Sequence, residues 1–320
     1  MRIKYLILTL AFALSSNAIA QTFPEKARPI RIVVPFGVGS GNDLIARAYA
    51  QAITEDSGQS VVVENRSGAE GAIGAQAVRN APADGYTVLF GNSSTHVLNA
   101  LMLPSIPYDP VKDFLPVSGV SSVSLVLNAG PSTSFKTIND ILDAARASPG
   151  KYTYGSATTS TRLAMDMVGY FGKVNMLHVP YKTMMQAANA VGGGEIDLLV
   201  TDVLTAIPHY QAGRMRPIGA TGAERLLALP DVPTIKEQGL TSYEFTAWSA
   251  MFVPKGTDPG VVDTLAKIFA KAQESRPVIN VLKNNSQRAL KADASEIRAL
   301  IDTETRKWSG IAKAATTKQQ

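Results

Sequence analysis

The sequence predicts an α/β protein of two lobes with a ligand cleft between them. Three observations carry this expectation. Short β-branched runs alternate with helix-period patterns from Ile30 to Gly91, and a second such series follows the proline-rich stretch Pro104 to Pro116. An apolar strand at Ser249 to Pro254, followed by further helices, then returns the chain to the first lobe. The expected division is residues 21–123 plus 249–320 in the first lobe and 124–248 in the second, and a chain of 320 residues is long enough for two domains of ordinary size.

In the first series, strands are expected at Ile30 to Pro35, Val61 to Glu64 and Thr87 to Gly91. Between them Leu44, Ile45, Ala48, Ala52 and Ile53 repeat at helical spacing, as do Ala72, Ile73, Ala75, Ala77 and Val78. The turn-forming residues of Ala81 to Gly85 stop the second helix. This order is that of consecutive βαβ units and implies a parallel sheet.

The second series has strand candidates at Leu125 to Asn128, Tyr152 to Gly155, Met176 to Val179 and Leu198 to Asp202, separated by helices. Thr137 and Thr183 suit helix N-caps, and Gln186 stands at the spacing from which it reaches back to Thr183. Gly192 to Gly194 ends that helix. After the return strand, helices are expected at Pro259 to Glu274 and Arg276 to Asn284. A last helix opens near Asp293 with Glu296 at capping-box spacing and an apolar face of Ile297, Leu300, Ile301, Trp308 and Ile311. The polar tail Thr316 to Gln320 is expected to fray.

The first twenty residues read as a cleavable signal peptide. Arg2 and Lys4 are basic, Tyr5 to Leu14 is a short apolar run, and Ala18-Ile19-Ala20 is a small-x-small cleavage pattern. The mature chain is then expected to begin near Gln21 and to reside in the periplasm. The absence of cysteine excludes thiolate metal sites and cysteine nucleophiles. The net charge of +5, to which Arg2 and Lys4 contribute two, is weak, and its cations are spread along the chain, so nucleic acid is not an expected partner.

Enzymatic chemistry finds few candidates. His96, His178 and His209 are not at metal-ligand spacing, no G-x-S-x-G elbow is present, and no P-loop occurs. Neither a metal nor a cofactor is expected. The strongest rival is a nucleotide-cofactor enzyme, because Gly37, Gly39 and Gly41 follow the first strand and Glu64 ends the next. The fingerprint needs a glycine at position 42, where Asn42 stands.

What remains is three loops at carboxyl ends of expected strands, the edge at which open α/β sheets bind ligands. They are Pro35 to Asp43, Gly91 to His96, and Gly155 to Thr161, each rich in glycine or small hydroxyl residues and each leading into a helix. Helix N-termini and hydroxyl donors aimed at one space can hold a carboxylate without a metal.

The segments PFGVGSGNDLIARAYA, VVVENRSGAEGAIGA, ADGYTVLFGNSSTH, IPYDPVKDFLPVSGV, HVPYK, ALPDVPTIKEQG and FVPKGTDPGVV give the chain a family resemblance across nearly its whole mature length. It resembles the Bug, or TctC-like, substrate-binding proteins of tripartite tricarboxylate transport systems. The resemblance implies a two-lobed, type II-like periplasmic-binding-protein fold with two hinge crossings, a monomer, a small organic carboxylate ligand and no catalysis. It implies membrane subunits of a transporter as partners, with a sensor kinase as the alternative. Carried over residue by residue, it points to Phe36, Val38, Gly39, Ser40 and Asp43, with Asp43 also suited to capping. It points further to Ser93, Ser94, Thr95 and His96, and in the second lobe to Ser156, Ala157, Thr158, Thr159, Ser160, Thr161, Tyr181, Thr201 and Asp202. The chain departs from the family pattern at Gly37 to Ser40, at Thr183-Met184-Met185, at Thr201-Asp202, and in a shortened loop ending at Thr161-Arg162. Arg162 is there expected to bind a ligand carboxylate, or else to point to solvent or pair with a neighbouring acid such as Asp166 one turn on.

Overall fold

A computed structural model of the chain describes residues 23–317. The expected signal peptide, the start near Gln21 and the last three residues of the polar tail lie outside the described residues. The elements form two sheets, each flanked by helices. The first has strand order β11-β4-β10-β3-β1-β2 and comprises β1 (Ile30–Val34), β2 (Val61–Asn65), β3 (Thr87–Asn92), β4 (Phe114–Val123), β10 (Ala247–Pro254) and β11 (Gln287–Ala289). The second has the order β7-β6-β8-β5-β9, from β5 (Val126–Ala129), β6 (Thr153–Ser156), β7 (Leu177–Pro180), β8 (Leu198–Thr201) and β9 (Arg216–Ala220).

The parallel arrangement expected from the sequence holds for β1, β2 and β3, which α1 (Gly41–Ser57) and α2 (Ala72–Arg79) connect by crossovers. It does not hold for the whole sheet. Strand β10, which enters on the return from the other lobe, pairs antiparallel with β3 and β4, and β11 pairs antiparallel with β4. Strand β4 escapes the sequence reading because Pro116 and the Ser118 to Ser122 run mask its β pattern, and its pairing with β10 carries two register shifts. In the second sheet β6 is parallel to β7 and β8, whereas β5 runs antiparallel to both β8 and β9.

Helices α4 (Ile138–Ala147), α5 (Thr159–Gly172), α6 (Met184–Gly192) and α7 (Val203–Gln211) cover the second sheet. Thr137 and Thr183 both cap as expected, each in a reciprocal box, with Asp140 and Gln186 respectively. A π-helical turn, Ser94–Leu98, leads into the short α3 (Asn99–Met102), and α8 (Pro259–Gln273) and α9 (Arg276–Asn284) complete the first lobe. The chain crosses between the sheets directly from Val123 to Val126 and returns through residues 221–246.

The last helix, α10 (Ala294–Thr317), packs on α5 of the second lobe as well as on β4. It includes the first two residues of the tail expected to fray. The Asp293 N–H donates to Glu296 Oε2 and the Glu296 N–H to Asp293 Oδ1, each at 2.9 Å, the expected capping box. Trp308 is buried with its ring 5.6 Å from that of Phe245 in the return crossing. Trp248, at the start of β10, donates to Glu304 at 2.7 Å. The helix therefore braces the return crossing between the sheets. Among the described residues no helix is long and apolar enough to cross a membrane.

Candidate functional site

A cavity of about 240 Å³ lies between the lobes at the carboxyl edges of both sheets. The first lobe contributes the loop from Pro35 to Asn42, residues of the turn from Ser67 to Gly71, Asn92, Ser121, Trp248, Ser249 and Gln287. The second contributes Ala157, Thr158, Ser160, Thr161, Lys182 to Met185, Asp202 and Thr205. The lobes approach closely at this level: a Cβ added to Gly37 would lie 3.6 Å from Thr183 Cγ2, and one on Gly41 3.7 Å from Asp202 Oδ1.

Four helix N-termini meet at this space. Ser40 caps α1 by accepting from the Asp43 N–H at 3.3 Å, and Thr158 caps α5 from Thr161 at 3.2 Å. Thr183 caps α6 from Gln186 at 3.3 Å, and Asp202 caps α7 from Thr205 at 2.9 Å. All four caps line the cavity. Each cap side chain takes one first-turn N–H, Ser94 Oγ takes that of Ser160 at 3.1 Å and Asn285 Oδ1 that of Leu204 at 3.3 Å; the donors left over and the positive ends of four helix dipoles favour an anion. Lys182 adds a cation, while Glu70 and Asp202 are the acidic side chains among the described lining residues. Burial pushes the Asp202 carboxyl above its ordinary value, and bonds from Thr205 and Leu204 offset this only in part. Phe36, Val38, Leu125, Met184, Met185 and Trp248 give the rest of the wall an apolar character suited to the body of an organic acid.

The site residues expected from the sequence divide by loop. In the first loop Phe36, Val38, Gly39 and Ser40 line the cavity, with Gly39 at φ 79°, where glycine is favoured. Asp43 does not. It is buried behind the loop, accepting from the Gly39 N–H and from Asn65, each at 2.9 Å, and pairing with Arg47 at 3.0 Å. Burial alone would raise its carboxyl, but hydrogen bonds from Arg47, Gly39 and Asn65 outweigh burial and hold it below the ordinary range. Asp43 thus shapes the loop and lies outside the wall.

The second loop departs most from expectation. Ser93, Ser94, Thr95 and His96 are buried and absent from the cavity wall, to which that loop contributes Asn92. The reason is the π-helical turn, which rolls these side chains inward. Ser93 and Ser94 bond Ser160 at 3.2 and 2.7 Å across the lobe interface. Thr95 bonds His96 Nδ1 at 3.0 Å, and the His96 ring stacks on Phe252 at 3.6 Å. Burial pushes the His96 imidazole down to about 3, so it is neutral near pH 7.

In the third loop Ala157, Thr158, Ser160 and Thr161 line the cavity. Ser156 instead bonds His178 at 2.7 Å, and Thr159 bonds Asn99 of the first lobe at 2.7 Å. Arg162 is not a lining residue. One residue beyond Thr161, it is turned about 100° around the helix, and its Nε lies 3.5 Å from Asp166 Oδ2 with both side chains 10% exposed. Tyr181 packs over Gly155 and Thr201 is fully buried, neither lining the cavity, whereas Asp202 does. The sequence reading missed Glu70, Lys182, Trp248 and Gln287 as lining residues. A signal for Glu70 was present: an acidic residue set in Gly68-Ala69-Glu70-Gly71, a turn on the same sheet edge.

Comparison with known proteins agrees with this architecture. A family model described as "Tripartite tricarboxylate transporter family receptor" matches residues 45–316. The "UPF0065 protein in tcbD-tcbE intergenic region" of Pseudomonas sp. (strain P51) is 35% identical over 307 residues, covering 95% of this chain and 91% of that protein. The solved structure "R. palustris Rpa4515 with adipate" superposes with a TM-score of 0.86 at 30% identity, covering 92% of this chain and 98% of that one. The structure "MatC (Rpa3494) from Rhodopseudomonas palustris with bound malate" gives a TM-score of 0.84 at 25% identity, covering 91% and 100%. On the extent of the family match, the two-lobed architecture and the interlobe cavity, the chain belongs to the tripartite tricarboxylate transporter family of receptors.

Proposed function

We propose that the chain is a periplasmic solute-binding protein that captures a small organic carboxylate between its lobes and delivers it to the membrane subunits of a tripartite tricarboxylate-type transporter. The observation that carries this reading is the convergence of four helix N-termini, capped by Ser40, Thr158, Thr183 and Asp202, on one cavity with an apolar wall. The donors would hold the carboxylate, and contact with Met184, Met185 and Trp248 would hold the carbon body. Two related receptors, solved with adipate and with malate, support the ligand class.

The test is a thermal-shift screen of small mono- and dicarboxylates, aliphatic and aromatic. A ligand at a hundred times its Kd stabilises the native state by about 2.7 kcal/mol, which corresponds to a rise in Tm of several degrees. The expected result is such a rise for a subset of carboxylates, each recovered chemically unchanged. The reading fails if no carboxylate raises Tm, or if the bound compound is consumed at stoichiometric protein.

A further inference from the structure

Glu70 stands in a backbone conformation that disfavours any residue with a side chain. Gly68, Ala69, Glu70 and Gly71 have φ values of 130°, 46°, 53° and 91° in succession. The left-handed region crowds Cβ against the following carbonyl, and glycine would occupy either middle position without that cost. The surroundings hold the turn in place. Asn99 Nδ2 donates to the Glu70 carbonyl at 3.1 Å, and Asn99 Oδ1 accepts from Thr159 of the opposite lobe at 2.7 Å. A Cβ on Gly71 would lie 3.0 Å from Thr95 and 3.2 Å from Phe36. Strain of this kind is concentrated at ligand sites.

What the turn places at the cavity wall is an acidic residue. Glu70 lines the cavity, and its Oε2 is buried without a hydrogen-bond partner. Burial pushes the carboxyl above its ordinary value, with the charge of Arg162 acting against the rise. A wall built only to attract anions has no use for an acidic side chain in a strained position. A second unpartnered acceptor, Gln287 Oε1, belongs to the same wall. A cavity that joins four helix N-termini to two unpartnered acceptors fits a ligand that accepts hydrogen bonds at one group and donates at another.

We infer that Glu70 is a specificity-determining residue, selecting carboxylates that also carry a hydrogen-bond donor, a hydroxyl or an ammonium group, over the same carbon skeleton without one. This rests on the reading above that the cavity captures a small carboxylate. The shared requirement is the donor, and matched ligands separate its two sources.

The experiment is calorimetric titration of the whole protein and of Glu70→Gly and Glu70→Gln with succinate, malate and aspartate, and with propionate, lactate and alanine. The parent should prefer the hydroxyl or the ammonium member of a series to the donor-free member by at least about tenfold. Glu70→Gly should bring the members within about threefold of one another while raising Tm by roughly 2 °C as the strain is released. Glu70→Gln, which keeps an acceptor and loses the charge, should retain a hydroxyl preference and lose an ammonium preference. Carboxylate binding without donor preference in the parent, or an undiminished preference in Glu70→Gly, overturns the role of Glu70 and leaves carboxylate capture standing. Failure of every carboxylate, here and in the thermal screen, overturns both.

Discussion

Replacing Thr158 by Asp should leave the protein as stable as the parent and lower its carboxylate affinity about a hundredfold or more. Thr158 caps α5 by accepting from the Thr161 N–H, and its side chain lines the cavity. Aspartate is at least as good an N-cap as threonine and places its charge favourably for the helix dipole, so folding should change by less than about 1 kcal/mol. The same charge faces a bound carboxylate. Two like charges about 4 Å apart at an effective dielectric of 20 repel by roughly 4 kcal/mol, so a loss of about 2.7 kcal/mol, or a hundredfold, leaves room for screening. Denaturant titration and calorimetry read the two effects separately. An unchanged affinity would place the anion away from α5, and a large loss of stability would show that Thr158 does more than cap.

Replacing Arg162 by Ala should do the reverse, destabilising the fold while sparing the ligand. Arg162 and Asp166 are each 10% exposed and pair at 3.5 Å, and Tyr154 also bonds Asp166. The arginine's charge reaches further: after burial, the larger cause, it helps hold the His178 imidazole down at about 4. Removing one partner of a buried pair strands the other, at a cost of about 3 to 5 kcal/mol. A double variant with Asp166→Asn should recover part of that loss, because it leaves no stranded carboxylate. Affinity for a carboxylate without a hydroxyl or ammonium group, which makes no use of Glu70, should stay within about threefold of the parent. A tenfold loss of affinity in a fully stable Arg162→Ala protein would return the arginine to the site.

How much of this was legible in the sequence follows from which interactions are local. The βαβ order, the caps at Thr137 and Thr183 and the box at Asp293 depend on residues a few positions apart, and sequence spacing reports them directly. Strand β4 was missed because its pairing with β10 spans more than a hundred residues and its serines and Pro116 imitate a loop. The first and third loops reach the cavity wall because an N-cap residue faces the ligand side of its helix by construction, as Ser40 and Thr158 do. The second loop has the same composition, but its π-helical turn is set by packing against Phe252 and by contact with Ser160 in the other lobe. Trp248 and Gln287 belong to the wall only because the chain returns to the first sheet beside β4, which no local pattern encodes. Arg162 illustrates the limit at single-residue scale. A shift of one position around α5, from Thr161 to Arg162, separates the cavity wall from a buried ion pair.

The central claim, that helix N-termini between the lobes hold a carboxylate anion, is tested most directly by one paired titration. The carboxylate that stabilises the protein most in the thermal screen, and the primary amide of the same acid, are titrated calorimetrically into the same preparation. The amide matches the acid in size and shape but carries no charge and presents a donor where the carboxylate has an acceptor. The account predicts one carboxylate per chain and at least about a hundredfold weaker binding of the amide, since charge-assisted hydrogen bonds from several N–H groups are lost together. Equal binding of acid and amide would contradict it.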